Sequence, residues 1–142
     1  MKTRSSSHNI SDKSLKGNRL GDIYKEPLTD AKIRYALCRG NELIESWIVE
    51  NNQLNGYNYL YDHKGYICRK TLWENGIIIG LEEFFIENIR DCSHEYKNGE
   101  INIKIEYYPD QTPRCVTYFS YGQVHHKTLY DAYGNIIPMD EN

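Results

Sequence analysis

Apolar and polar residues alternate one for one along several stretches of the chain, the pattern of a strand with one covered face. Ile101, Ile103, Ile105 and Tyr107 fall on one side of such a stretch, and Asn102, Lys104, Glu106 and Tyr108 on the other. Turn-forming residues punctuate the chain at Arg39-Gly40-Asn41, Glu50-Asn51-Asn52, His63-Lys64-Gly65, Glu74-Asn75-Gly76, Glu87-Asn88, Lys97-Asn98-Gly99, Pro109-Asp110-Gln111, Ser120-Tyr121-Gly122 and Ala132-Tyr133-Gly134. Counted at positions 40, 52, 65, 76, 88, 99, 111, 122 and 134, the steps are 12, 13, 11, 12, 11, 12, 11 and 12 residues. Gly and Asn accept the positive φ of tight hairpins, so each step predicts one turn and one strand of about seven or eight residues.

The flanks of the turns hold the same phase. Trp73, Phe85, Tyr96, Tyr108 and Phe119 stand three positions before them, and Ile67, Ile78, Ile101, Val124 and Ile136 two positions after the glycines. A helix does not produce this period. The prediction is an all-β antiparallel meander of about ten strands in one elongated, twisted and curled sheet. Residues 31–38 and 43–49 read as its first two strands, with a helix over 29–38, capped by Thr29 or Asp30, as the alternative. Residues 1–22, rich in Ser, Lys, Asn and Gly, read as a flexible polar arm, and 23–142 as a single β-repeat domain.

Two consecutive strands make a unit of about 23 residues. Trp73-Glu74-Asn75-Gly76-Ile77-Ile78-Ile79-Gly80-Leu81-Glu82-Glu83-Phe84-Phe85 resembles the MORN-repeat variant of small bacterial proteins, some of which carry an antitoxin label. Tyr96-Lys97-Asn98-Gly99-Glu100-Ile101 and Tyr130-Asp131-Ala132-Tyr133-Gly134-Asn135-Ile136 repeat its turn. The resemblance covers about residues 40–137 and implies an elongated, twisted repeat sheet, in a protein of the immunity or antitoxin type.

Composition narrows the function classes. At 142 residues and 39% hydrophobic, the chain supports one core, and thirteen Tyr beside two Trp and three Phe favour strands. A net charge of −3 argues against a nucleic-acid partner. With no apolar run near the roughly 20 residues that span a bilayer, no membrane partner is expected. The polar start, Met1-Lys2-Thr3-Arg4-Ser5-Ser6-Ser7, lacks a signal-peptide core and points to the cytoplasm.

No spacing calls for a cofactor or a metal. Cys38, Cys68, Cys92 and Cys115 lie 30, 24 and 23 residues apart, the spacing of the repeat, which sets the last three at equivalent places on alternate strands as structural thiols. His125 and His126, being adjacent, point to opposite faces of a strand. No residue is assigned as catalytic, so the chain is expected not to be an enzyme.

Charge is more informative. Residues 82–110 hold eight acids against three bases, and residues 1–25 six bases against two acids. Glu82, Glu83, Glu87, Asp91, Glu95 and Glu106 are therefore the candidate contacts of a non-catalytic protein-binding module, an inhibitor laying an acidic sheet face on a basic partner protein. Two alternatives compete: a glycan-binding module using aromatic hairpin repeats, and a structural protein that self-associates into homo-oligomers through its sheet edges.

Overall fold

The structure, a computed structural model, describes residues 11–12 and 21–139. All of its regular elements are strands: β1 (Ser11–Asp12), β2 (Asp22–Pro27), β3 (Lys32–Arg39), β4 (Glu42–Glu50), β5 (Gln53–Leu54), β6 (Gly56–Tyr61), β7 (Ile67–Glu74), β8 (Ile77–Ile86), β9 (Ile89–Lys97), β10 (Glu100–Tyr107), β11 (Pro113–Ser120), β12 (Gln123–Tyr130) and β13 (Ile136–Ile137). They form one open antiparallel meander in chain order, with only β5 off the path, paired to β4. The helix weighed for 29–38 does not form. Lys32–Arg39 instead pairs along its length with β2 on one side and β4 on the other, satisfying its backbone in both directions. No helix of the described residues is long and apolar enough to cross a membrane.

All nine sequence punctuation points fall in turns. Five hairpins carry two successive residues at positive φ: Asn51–Asn52 at 54° and 65°, Asn75–Gly76 at 52° and 81°, Glu87–Asn88 at 48° and 71°, Asn98–Gly99 at 55° and 80°, and Tyr121–Gly122 at 52° and 77°. That pair matches the right-handed twist of the strands it joins. Longer loops follow Asp62 and Asp131, whose side chains cap the turn. Asp62 Oδ1 accepts from the N–H of Lys64 and Tyr66 at 2.9 and 3.0 Å, and Asp131 Oδ1 from Tyr133 and Asn135, both at 2.9 Å.

The expected arm lies largely outside the described residues, but two of its segments are placed. Asp22 already belongs to β2, and Ser11–Asp12 pair with Tyr24 and Ile23. Gly21 is required where it stands: at φ 109°, a Cβ would sit 2.2 Å from the Cys38 carbonyl oxygen.

A sheet without a second layer buries little apolar surface. The buried hydrophobic residues are Ala36, Leu37 and Cys38 on β3 and Cys115 and Val116 on β11. Between them, the best-covered positions are polar: Asn58, Thr71, Glu82 and Ser93. These short or hydrogen-bonded side chains lie beneath the longer residues of neighbouring strands.

One turn is tuned below its optimum. Tyr121 takes a left-handed conformation at φ 52° and is 96% exposed, so it carries backbone strain without packing in return. Tyr121→Asn should raise the unfolding free energy by about 0.5–1 kcal/mol, because Asn tolerates this conformation. Equilibrium urea unfolding measures it, and a lower midpoint would show that the ring packs.

Candidate functional site, a polar row across one sheet face

Strand registers arrange the side chains in rows, since partners directly opposite share a face. One row runs through Lys25, Tyr35 and Trp47, then Asn58 and Thr71, then Glu82, His94, Lys104, Thr117 and Lys127. Beside it on the same face runs a second row: Leu37, Glu45, Leu60, Arg69, Phe84, Cys92, Glu106, Cys115 and Leu129.

Glu82 is the hub. Thr71 Oγ1 donates to its Oε2 and the Tyr96 hydroxyl to its Oε1, both at 2.9 Å. His94 Nδ1 stands 3.5 Å from the same Oε1, too far for a good hydrogen bond. The His94 ring is held edge-on to Phe84 at 4.9 Å and to Tyr96 at 6.2 Å between centroids. On the adjoining strands, Asn58 Nδ2 donates to Glu45 Oε2 at 3.0 Å and to the Ser46 carbonyl at 2.8 Å. Arg69 Nη2 approaches Glu45 at 3.9 Å. Three buried nitrogens of this face lack a hydrogen-bond partner among the described residues: Arg69 Nε, Trp73 Nε1 and His94 Nδ1.

Burial, and after it the hydrogen bond and charge of Glu82, push the Tyr96 pKa up to about 12. At neutral pH its phenol therefore keeps its proton and acts as a fixed donor. Burial likewise raises the Cys92 and Cys68 thiols.

The opposite face is more aliphatic. Tyr57 lies opposite Leu72, Leu72 opposite Ile79, Leu81 opposite Glu95, Glu95 opposite Ile103, and Ile103 opposite Tyr118. Tyr57, Leu81 and Tyr118 remain 39%, 43% and 38% exposed, and the nearby Ile77 52%. Gly80, at φ 62°, lies in the bulge where β8 shifts register against β7, between the Leu72–Ile79 and Lys70–Glu83 pairs.

The six acids singled out from the sequence are not gathered on one face. Glu82 and Glu106 belong to the polar rows, where Glu106 meets Arg114 at 3.4 Å. Glu83 and Glu95 point to the aliphatic face, and Glu83 is paired with Arg90 at 3.0 Å. Glu87 sits in a turn, 3.6 Å from Lys64, and Asp91 at an exposed bulge of β9. The physical reason is strand alternation: neighbouring residues diverge, so a run of charge in sequence is divided between faces.

The cysteine expectation needs a similar correction. Cys92 and Cys115 do occupy equivalent places, flanking Glu106 in one row, but the β7 member of that row is Arg69. Cys68 is displaced by a register shift of β7 against β6. Cys68, Cys92 and Cys115 are free thiols. Among the described residues no three His, Cys, Asp or Glu side chains could hold a metal ion.

Sequence reasoning missed Trp47, Asn58, Arg69, Thr71 and His94 as a group. Their one signal was periodicity: Arg69 and Cys92 lie 23 residues apart, as do Thr71 and His94. No family model and no curated protein matches the chain.

Because the folded Tyr96 pKa of about 12 lies above the ordinary phenol value near 10, its contribution to stability is complete below pH 10 and is lost as pH rises towards 12. Phenolate absorbance should show a step at about pH 12 that is absent from Tyr96→Phe, and Glu82→Gln should move that step to lower pH. Titration unchanged by Glu82→Gln would place the cause elsewhere.

Proposed function

We propose that the chain is a non-catalytic protein-binding module, acting in the cytoplasm and docking a partner on the aliphatic face of the sheet. The observation that carries this reading is the stripe from Tyr57 through Leu81 and Ile103 to Tyr118, in which Tyr57, Leu81 and Tyr118 are exposed, on a sheet that no second layer of the described residues covers. Contiguous exposed apolar surface rimmed by polar groups marks an interaction site more often than a free surface. Glu95 stands within the stripe and Glu83 beside it, so a partner with apolar residues and a cation facing Glu95 is the complement. Of the six acids, the two on this face keep the role first given to the whole cluster.

The non-catalytic part of the reading rests on the character of the polar cluster. Both Glu82 oxygens are engaged and the Tyr96 phenol holds its proton far above neutral pH, an arrangement suited to fixing geometry. An inhibitor of the immunity or antitoxin type is the finer form of the proposal, supported by the MORN-like turn signature. Such inhibitors work by covering a surface.

Affinity capture from the native extract, followed by titration of the captured protein, tests the reading. Leu81→Asp or Tyr118→Asp should abolish capture, and Glu95→Lys should weaken it by about tenfold or more. Lys104→Ala, on the other face, should leave it unchanged. Equal affinity for Leu81→Asp and the unaltered protein would overturn the proposal.

A further inference from the structure

The polar face contains a slot that the docking reading does not use. It lies where β4 and β6 meet, a cavity of about 250 Å³ lined by Glu45, Trp47, Leu54 and Asn58. Trp47 lies parallel to Tyr35, centroids 5.7 Å apart and planes at 7°, so one side of the indole is covered and supported. The ring also walls the cavity. Asn58, 8% exposed, reaches it from the strand opposite. Its amide nitrogen is committed to Glu45 and to the Ser46 carbonyl, while its Oδ1 accepts from none of the described residues.

Around the slot the groups are mixed in kind and balanced in charge. Glu45 offers acceptors, and Arg69, 3.9 Å from it, has a buried Nε donor without a partner among the described residues. Trp73, opposite Gly56, has an indole N–H in the same condition. A site that couples an aromatic wall to donors and acceptors together, without surplus charge, matches an uncharged ring bearing hydroxyl groups. Phosphate-bearing or carboxylate-bearing ligands would need an excess cation that Glu45 cancels. The volume lies under the range of about 300–1,000 Å³ typical of drug-sized ligands, which limits the occupant to one ring.

We propose that the slot between Trp47 and Asn58 binds a pyranose ring of a neutral carbohydrate. The apolar face of the sugar lies on Trp47, and its hydroxyls bond to Glu45, Asn58 Oδ1 and Arg69. This site is independent of partner docking, which uses the opposite face.

Of the two tryptophans, Trp47 and Trp73, Trp47 lines the slot, so a change in intrinsic tryptophan emission that is lost with Trp47 reads occupancy. The full chain is titrated with glucose, galactose, mannose and N-acetylglucosamine, and with adenosine as a planar-base probe. At least one sugar should give a saturable change with a Kd on the order of 1–10 mM, the weak range expected of one ring on an open site. Ligand-observed NMR should show Trp47→Ala weakening that sugar about tenfold or more, and Trp47→Phe by only about threefold. Should Trp47→Ala lose its strand spectrum in circular dichroism, Glu45→Gln takes its place, with a several-fold loss expected. Leu81→Asp should leave the sugar response intact, which separates failure of this site from failure of docking. A flat response to all four sugars, a response to adenosine alone, or unchanged affinity in the folded Trp47 and Glu45 variants would overturn the proposal.

Discussion

The structure depends on a backbone constraint at the hairpin tips: two consecutive residues held in the left-handed region. In a sheet whose side chains alternate, a turn that slips by one residue sends every following side chain to the wrong face. The paired positive φ angles at Asn51–Asn52, Asn75–Gly76, Glu87–Asn88, Asn98–Gly99 and Tyr121–Gly122 prevent that slip. They fix the rows, and the rows bring Glu82 opposite His94 and within reach of Thr71 and Tyr96. Glu87 shows the strength of the requirement, since a residue poorly suited to φ 48° is held there with only an exposed contact to Lys64 to offset the cost.

A single layer changes what burial means. In a two-layer fold the best-covered positions are apolar because another sheet or helix lies over them. Here cover comes only from adjacent strands, so the deepest positions suit short side chains, and Thr71 and Ser93 are each 1% exposed. Polar groups can occupy them because the same neighbours supply partners. Ser93 shares a hydrogen bond with the Tyr107 hydroxyl at 2.8 Å, and Thr71 binds Glu82. Removing one partner would strand the other in a covered position, which costs more than the bond itself contributes. Thr71 lies on the polar face and Ser93, opposite Glu83, on the other, so covered polar positions occur on both faces, while several longer aliphatic side chains are left partly bare.

Most of the fold was legible because it rests on local chemistry. Gly and Asn mark turns through their own φ preferences, and alternation within a strand survives in any surroundings. What escaped was whatever depends on counting across strands. Ile101 was assigned the same face as Ile103, yet an irregularity between them sets Ile101 opposite Tyr96 while Ile103 stands opposite Glu95. Cys68 was one residue out for the same reason. The polar site combines strands β4 to β9, so its register is the accumulated result of several hairpins and their bulges. A one-residue irregularity in any of them is invisible in composition and decisive for the face.

The single irregular step in the sequence period also has a structural meaning. The interval from 52 to 65 is 13 residues, longer than every other, and it contains the short strand β5 and the break at Asn55 before β6. This extra chain interrupts the ladder, leaving β4 and β6 joined through the Glu45–Leu60 and Ser46–Tyr59 pairs alone. The seam is closed by other means: Asn58 carries its side-chain amide to the Ser46 carbonyl, and the Asn55 N–H reaches the Ile48 carbonyl at 2.9 Å. Replacing part of a backbone ladder with side-chain bonds opens space beside Trp47 that a regular hairpin would have filled. The one break in the repeat is therefore also the place where the face acquires a recess, and a strictly periodic sequence would have produced a smoother sheet with less to bind.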